Sequence, residues 1–595
     1  MDHVSERPDV PVDPLLAAIL QKRIEAITAE MATALIRSAR SMIFNLVGDF
    51  ITAALDAEGR TLAQTEHAAV IAFGAEPSLL TIREYFGDDI AEGDVIAHND
   101  VFSRGNQNHD LGLFAPVFYE GTLQGWVVVK GHQADLGGST LGGYDPASTE
   151  VWQEALRITP VKLYQAGEVR RDVWDLIFAN QRLDIVPEDV KSMIGACVLG
   201  VRNFQGLFER YGTEVVVSHL NYVIDRSEQL VRDEIATWPD GTYRGESWMV
   251  SDGIDATARY RIVCEVTIAG DEITFDFSET DDQSPGYANM PASAALGSLR
   301  IVFLMLLTAG GIEVPPNHGL FGPVHAVFRE GSLLDPTFPA ATMFGNQMCD
   351  EVLESIMTAL APVLPDRVVA GWNQALGTVF ACTDPRNGQR TVFFGAFHRG
   401  GPGGCYGGDG FDALGFSGSV GQMTAPDIEA YEIGNPVRME SYEYTPDSAG
   451  AGCWRGGYGT TTVRTLLADD VRTTTFGDDV AIEGAPPALG FFGGEPAGLN
   501  EIRLEYPDGS VHFLGSKAVM PGVPINTVVR GTIGGGAGYG DPYQRPLDLV
   551  VQEVSDGLLS LEKARSSYGV VIDASSGQLD KDATEALRAS PRAGV

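Results

Sequence analysis

The chain has 595 residues, 44% of them hydrophobic, and its 41 Lys and Arg against 80 Asp and Glu give a formal net charge of −39 at pH 7. This length and apolar content predict a globular protein of two or more domains rather than a disordered chain. Because phosphate backbones and anionic headgroups are neutralised by Lys and Arg, the acidity argues against binding to nucleic acid or to membrane surfaces.

The cysteines and the apolar runs indicate the compartment. Six cysteines are scattered without a CxxC pair, which is typical of free thiols in a reducing cytoplasm. The polar, acidic start shows no signal peptide. The most apolar run, residues 301–307, is too short to cross a bilayer and predicts a buried helix. We therefore expect a soluble cytoplasmic protein.

The first predicted element is an amphipathic helix after a flexible proline-rich lead (1–12). Asp13 followed by Pro14 is a helix-start signal, and apolar residues then recur at helical spacing as far as Leu35. In chain order, the further predicted elements are a strand at 50–55, a hairpin turn at 56–59, strands and short turns up to residue 129, helices at 187–211 and 213–236, a hairpin at 260–268 and 273–277, helices at 294–308 and 350–361, strands at 460–466 and 500–506, and a helical tail at 546–568.

Glycine content divides the chain. From about residue 390 come FHRGGPGGCYGGDG, DSAGAGCWRGGYG and RGTIGGGAGYGDP, with alternating apolar residues between them. Glycines permit tight turns, bulges and close backbone approach, so this half predicts a β-dominated domain. We predict a mixed α+β multidomain fold with an N-terminal helix plus strands, a helical middle and this glycine-rich half. The predicted domains are 13–240, 241–390 and 391–545, followed by a helical tail at 546–595.

Polar and acidic residues gather between residues 99 and 137, beside glycines and between apolar strands. His109, Asp110, His132 and Asp135 are potential metal ligands or acid/base groups, and Asn99, Asp100 and Gln107 extend the cluster. Strand ends hold such groups rigidly, as positioned chemistry requires. The alternative is a pair of polar turns flanking ordinary strands.

Three common motifs are absent. The chain has no GxxxxGK[ST] phosphate loop, no GxGxxG between a strand and a helix, and no GxSxG nucleophile elbow. If this protein uses ATP, we expect the nucleotide to sit on a partner.

Six segments, spread from the first helix to the glycine-rich end, carry a family resemblance: DPLLAAILQKRIEAITAEMATALIRSA, GDFITAALDAEGRTLAQTEH, GHQADLGG, RITPVKLYQAG, MESYEYTPDSAGAGCWRGGYG and GGGAGYGDP. They resemble the hydantoinase B family of large subunits, which includes subunits of hydantoinases, 5-oxoprolinases and acetone and acetophenone carboxylases. The resemblance implies a hetero-oligomer with a hydantoinase A-like ATPase subunit and further small subunits. That partner would use ATP to phosphorylate the substrate's carbonyl oxygen.

The resemblance also implies a metal set of Asp, His, Asp and His. The family pattern NDPYxGGTHLPD reads NDVFSRGNQNHD here, and HHADVGG reads HQADLGG. Asp49, Asp110 and His132 are retained, while the set's first histidine becomes Gln107. An amide oxygen is a weak ligand for zinc, so we expect no tightly bound divalent metal.

Other roles follow for the same residues. Without a metal, Asp110 and His132 can form an acid/base pair, with His109 as a nearby candidate; the alternative is a buried polar network inherited from a metal site. His67 matches a usual family histidine, and Arg399 can meet a phosphate or carboxylate. Asn99, Asp100 and Gln107 complete the predicted substrate- and phosphate-binding set.

The missing histidine favours an acetophenone-carboxylase-like subunit. A phosphorylated enol of an aromatic methyl ketone would attack CO₂ released from bicarbonate, giving a β-keto acid. This chemistry needs a water-poor pocket and stabilisation of the leaving phosphate more than a Lewis acid. The alternatives are a subunit of an ATP-dependent cyclic amide hydrolase, of the hydantoinase or 5-oxoprolinase type, and a non-catalytic scaffold.

Overall fold

The computed structural model describes residues 10–65, 67–395 and 397–589; most of the predicted flexible lead therefore lies outside the described residues. The helices are α1 (Pro14–Ser38), α2 (Ala69–Ala72), α3 (Ala75–Phe86), α4 (Arg171–Phe178), α5 (Ile185–Tyr211), α6 (Thr213–Ile235), α7 (Ala292–Ala309), α8 (Cys349–Leu360), α9 (Ile428–Gly434), α10 (Leu547–Ser555), α11 (Leu561–Ser566) and α12 (Lys581–Arg588).

The strands are β1 (Phe50–Asp56), β2 (Thr61–Gln64), β3 (Val95–His98), β4 (Asp110–Tyr119), β5 (Thr122–His132), β6 (Val161–Gln165), β7 (Glu168–Val169), β8 (Gly241–Val250), β9 (Arg259–Ala269), β10 (Glu272–Asp276), β11 (Val324–Val327), β12 (Leu376–Thr383), β13 (Arg390–Phe394), β14 (Val437–Tyr444), β15 (Thr460–Leu466), β16 (Val471–Gly477), β17 (Glu501–Glu505), β18 (Val511–Leu514), β19 (Val519–Val523) and β20 (Val528–Thr532). The predicted mixed α+β architecture is confirmed.

Helix α1 begins as its sequence predicts. The Asp13 side chain accepts a hydrogen bond from the Leu15 amide (2.9 Å), and Pro14 occupies the first turn. Leu20, Ile24 and Met31 on its inner face are fully buried. This face packs against α5 and the first sheet, so the amphipathic pattern decides which way the helix faces.

The first sheet has seven strands in the order β2-β1-β5-β4-β3-β6-β7, and every neighbouring pair is antiparallel. Both of its faces are covered: α1 and α5 lie on one, and α2, α3 and α7 contribute to the core on the other. Burial on both sides explains why β5 reads as a continuous apolar run from Trp126 to Val129.

One sequence prediction is wrong. Residues 65–95 contain α2 and α3 where only strands and short turns were predicted, because an apolar stripe here covers the second face of the sheet. The tail is helical, as predicted. It consists of α10 and α11, separated at Gly557 (φ +75°), with α12 further on; a residue in the left-handed region ends a helix.

The second sheet has the order β11-β10-β9-β8, and β9 and β10 form the predicted hairpin. Ile273, Phe275 and Phe277 are completely buried on one face. Helix α7 is long and apolar enough to cross a membrane by length and composition, but most of it is buried within the protein. Its apolar character therefore matches a place in the core beside α8.

The glycine-rich half contains two further sheets, β13-β12-β16-β19 and β14-β15-β20-β17-β18. Glycine segments between them pack backbone against backbone: the Gly450 amide donates to the Gly536 carbonyl (2.8 Å), and the Gly536 amide donates to the Gly457 carbonyl (2.9 Å). A Cβ on Gly456 would overlap the Gly536 backbone. Glycine is required here by close approach.

The cores cross the predicted domain limits. One hydrophobic cluster joins Ile262 of β9 and Leu353 of α8 to Ala537 and Tyr539 of the glycine-rich half. The domain boundaries themselves stay predictions. All six cysteines are free thiols, as their scattered positions predicted.

Candidate active site

A cavity of about 180 Å³ lies where the first sheet meets β12, β13 and the loop at 415–424. Its apolar wall is formed by Met42, Ile43, Val47, Val70, Ile71, Leu376, Phe394, Phe416, Met423 and Phe476. Its polar residues are Asp49, Gln107, Asp110, His132, Tyr144, Asn346, Gln347, Thr378, His398, Arg399, Ser419 and Thr424. An apolar cleft with a few converging polar groups is the usual form of a small-molecule site.

Asp110 and His132 form a pair at one wall of this cavity. They lie opposite each other where β4 begins and β5 ends. Asp110 Oδ1 lies 3.2 Å from His132 Nδ1, and Asp110 Oδ2 accepts a hydrogen bond from Asn346 Nδ2 (2.8 Å). The carboxylate is held from two sides, so it fixes the tautomer and the orientation of the imidazole.

The nitrogen of His132 that Asp110 does not contact is Nε2. His132 Nε2 is buried and has no hydrogen-bond partner in the structure. Burial disfavours the imidazolium, but the hydrogen bond to Asp110 and the charges of Asp49 and Asp110 outweigh it, and together they raise the pKa of His132 above its ordinary value. An unpartnered imidazole nitrogen thus belongs to a residue that lines the cavity.

Asp49 reaches the same wall from the start of β1. The backbone turns through Gly48 (φ +77°), and the Asp49 amide donates to the Ile43 carbonyl (2.9 Å) at the end of a π-helical turn, Ile43–Val47. The His132 amide donates to the Asp49 carbonyl (3.1 Å), which ties the two residues together. Burial raises the pKa of Asp49 to about 6; the nearby His132 lowers it and Asp110 raises it. Asp49 can therefore hold or release a proton near neutrality.

The side chains at this site show whether a divalent metal ion could be held tightly, as the metal set of the resemblance would require. Among residues 10–65, 67–395 and 397–589, no three His, Cys, Asp or Glu side chains converge closely enough to hold a metal ion. Both Asp110 oxygens already have partners, and Gln107 donates its amide hydrogen to the Met343 carbonyl. The residues therefore do not fit a tightly bound metal, and no step below uses one.

Several predicted site residues lie outside the cavity. His109 stacks on His132 (ring centroids 5.3 Å apart), but both of its nitrogens face backbone carbonyls, at 3.1 and 3.2 Å, and burial lowers its pKa to about 4. Asn99 accepts from the Ile158 amide (2.6 Å), and Asp100 pairs with Arg157 (2.6 Å). These contacts hold the 99–110 loop in place.

Of the two remaining predicted residues, Arg399 lines the cavity and His67 does not. The Arg399 guanidinium donates to the Ala413 (2.9 Å), Leu414 and Met423 (2.9 Å) carbonyls, so it holds a loop. The ring of His67 stacks on Phe50 at 5.1 Å, and burial lowers the pKa of His67.

The structure also brings in residues that sequence analysis missed. The Tyr144 hydroxyl accepts a hydrogen bond from Gln347 Nε2 (3.1 Å), and the Tyr144 ring lies 6.2 Å from that of His132. Lys130 is fully buried on the same face of β5 as His132. Its Nζ contacts the neutral oxygens of Asn106 and Ser78, and burial lowers its pKa to about 8, with Asp110 opposing that shift. The polar run FGNQM was a usable signal for Asn346 and Gln347.

Comparison with known proteins gives a consistent result. Residues 13–542 match the family model described as Hydantoinase B/oxoprolinase. The chain is 34% identical to the caprolactamase subunit beta of Pseudomonas jessenii, over 97% of this chain and 99% of that one. It is 25% identical to the acetophenone carboxylase delta subunit of Aromatoleum aromaticum, over 97% and 89%. The crystal structure of ATP-dependent caprolactamase from Pseudomonas jessenii superposes with a TM-score of 0.87 at 31% identity, covering 98% of this chain and all of that one.

Proposed function

The chain belongs to the hydantoinase B/oxoprolinase family, and we propose that it is the hydrolytic subunit of an ATP-dependent complex that opens cyclic amides. One observation carries the proposal: a buried, unpartnered imidazole nitrogen, His132 Nε2, oriented by Asp110 at the wall of an apolar cavity. Higher identity to a caprolactamase subunit than to a carboxylase subunit supports this choice over ketone carboxylation.

The chemistry divides between two subunits. A hydantoinase A-like partner transfers the γ-phosphoryl group of ATP to the carbonyl oxygen of the amide, which makes the carbonyl carbon electrophilic. The phosphorylated amide then occupies the cavity of this chain. His132 Nε2 takes a proton from water as the water oxygen bonds to that carbon. Asp110 keeps the resulting imidazolium oriented.

Ring opening follows from the second titratable group. The carbon–nitrogen bond breaks, its electron pair goes to nitrogen, and Asp49 supplies the proton that nitrogen takes up. A pKa of about 6 makes Asp49 a competent acid near neutrality. The added hydroxyl loses its proton, which leaves an acyl phosphate, and a second water hydrolyses this to a carboxylate and inorganic phosphate. A lactam therefore gives an amino acid, ADP and phosphate.

The proposal is tested with the complex of this chain and its ATPase partner. The complex receives ATP and either ε-caprolactam or hydantoin, and in parallel acetophenone with ¹⁴C-bicarbonate. We expect ring-opened product and ADP with the cyclic amides, and no acid-stable label after borohydride reduction with the ketone. Label fixed with the ketone, together with no ring opening, would overturn hydrolysis in favour of carboxylation.

Variants separate catalysis from a scaffold role. His132→Gln removes the proposed base, and we expect it to slow ring opening by about 10²- to 10⁴-fold. His325→Gln, at a half-exposed histidine 3.5 Å from Glu272, is the matched control and should leave turnover unchanged. Full turnover by His132→Gln in an assembled complex would indicate a non-catalytic scaffold.

A further inference from the structure

We propose that the cavity contains a phosphoryl-binding subsite made by Thr378 and His398, with the buried Arg464 supplying positive charge from behind. This inference rests on the proposed function, because it names where the phosphoryl group of the activated amide would sit. It begins with a cation that has no counter-ion. Arg464 of β15 is fully buried, and no carboxylate among the described residues pairs with it.

The hydrogen bonds of Arg464 leave part of its guanidinium free. Arg464 Nη2 donates to His398 Nε2 (2.8 Å) and to Thr462 Oγ1 (3.0 Å), whereas Nε and Nη1 have no partner. The hydroxyl of the nearby Tyr431 donates to the Phe394 carbonyl (2.8 Å) and supplies no charge. An unpaired buried cation is costly, and this one lies directly behind the cavity wall at Gly395, so it favours an anionic ligand there.

A second unpartnered group meets Arg464 at Gly395. The Thr378 hydroxyl is fully buried, has no hydrogen-bond partner, and belongs to a residue that lines the cavity. A Cβ on Gly395 would overlap Thr378 Oγ1 and lie 2.8 Å from Arg464 Nη1 and 3.4 Å from His398 Cε1. Gly395 and His398 also line the cavity. Two independent unsatisfied groups therefore converge at one point of its wall.

This point is close to the catalytic pair. Phe394, the residue before Gly395, has its ring centroid 6.0 Å from that of His132. A phosphorylated amide can thus place its phosphoryl group against Thr378 while its carbonyl carbon faces His132. The chain carries a formal charge of −39, and an arginine without a carboxylate partner places a positive charge beside this cavity in an otherwise negatively charged protein.

The ligand class follows from the donors. A hydroxyl and a guanidinium charge suit a tetrahedral oxyanion, and the proposed reaction creates one on a substrate that is otherwise neutral. Arg399 is less suited to this role, because its Nε and Nη2 already donate to three backbone carbonyls. Two nitrogens of Arg464, Nε and Nη1, have no partner, so we assign the charge of the subsite to the arginine behind the wall.

The test uses the full chain in phosphate-free buffer, titrated calorimetrically with inorganic phosphate and with acetate. We expect saturable binding of phosphate and none of acetate. Thr378→Val should weaken phosphate binding about tenfold, as loss of one hydrogen bond to a charged ligand implies, yet melt no lower than the parent, because the hydroxyl has no partner in the fold. Arg464→Met should weaken binding by about 100-fold or more.

A matched control separates binding from packing. Thr473 of β16 is also fully buried with an unpartnered hydroxyl, but it does not line the cavity. Thr473→Val should match Thr378→Val in melting temperature and keep the phosphate affinity of the parent. Undiminished binding by Thr378→Val, binding of acetate instead of phosphate, or a melting-temperature loss in Thr378→Val alone would overturn the assignment.

Turnover of the complex distinguishes the source of the phosphoryl group. If the subsite serves the activated substrate, Thr378→Val lowers kcat/KM for the cyclic amide in phosphate-free buffer. Relief of phosphate inhibition with unchanged kcat/KM would mean that only free phosphate binds, which overturns the assignment. If the complex opens the ring but this chain does not bind phosphate, the proposed function stands and the phosphoryl subsite is refuted. If the chain binds phosphate but the complex opens no ring, the subsite stands and the proposed function is refuted.

Discussion

Replacement of the buried Lys130 by methionine is expected to change how stability depends on pH. Lys130 is fully buried and contacts only neutral oxygens, those of Asn106 and Ser78. Its pKa is lowered from 10.5 to about 8. Because one pKa unit corresponds to about 1.4 kcal/mol, keeping this lysine protonated in the folded protein costs about 3 kcal/mol.

The direction in which stability changes with pH follows from the lowered pKa of Lys130. The penalty is fully present below pH 8, where both states are protonated, and disappears as the pH rises towards 10.5, where both are neutral. Lys130→Met lacks this penalty but leaves Asn106 Oδ1 without its donor, which costs about 1–3 kcal/mol at every pH. This pH-independent loss changes the stability of the variant by the same amount at every pH. The informative quantity is therefore the slope, against pH, of the stability difference between variant and parent.

Calorimetric melting temperatures of parent and variant between pH 7 and 9.5 measure that slope. For a chain of this size, about 1 kcal/mol corresponds to roughly 1 °C. We expect the variant-minus-parent difference to be constant below pH 8 and then to fall by about 1 °C per pH unit. Lys162→Met is the matched control. Lys162 is a buried lysine of the same sheet, paired with Asp94 at 3.0 Å, so its replacement should destabilise. Melting curves for Lys130→Met that stay parallel to those of the parent across this range would refute the reasoning.

Three further outcomes are expected. Asp110→Asn removes the charge that raises the pKa of His132; since the neutral imidazole is the base, the acidic limb of the pH–rate profile should move to lower pH and the plateau should fall by about 10²-fold or more. An unmoved limb would show that another group controls it. Gly456→Ala places a methyl group in the Gly536 backbone and should lower the melting temperature, measured by calorimetry, by about 1–3 °C; an unchanged value would contradict the close packing. Gln107→His adds an imidazole to the site and should raise the zinc content of the purified chain, measured by mass spectrometry, and equal zinc in parent and variant would exclude that effect.

The sequence alone determined those helices, strands and turns that are specified by a few neighbouring residues. The Asp13–Pro14 start of α1, the hairpin of β9 and β10 and strand β15 were predictable because capping, turn chemistry and apolar periodicity act over a few residues. That Asp110 lies opposite His132 is harder to predict from the sequence, because it depends on the register between two strands.

Tertiary structure alone decided which polar residues meet. His109 and Asp110 are neighbours in sequence, yet His109 contacts backbone carbonyls while Asp110 faces the cavity. Arg399 was an evident phosphate candidate, but its Nε and Nη2 donate to loop carbonyls, whereas two nitrogens of Arg464, 65 positions further along the chain, have no partner. Hydrogen-bond partners contributed by distant segments decide which charges are satisfied and which remain available for a ligand, and no local pattern encodes them.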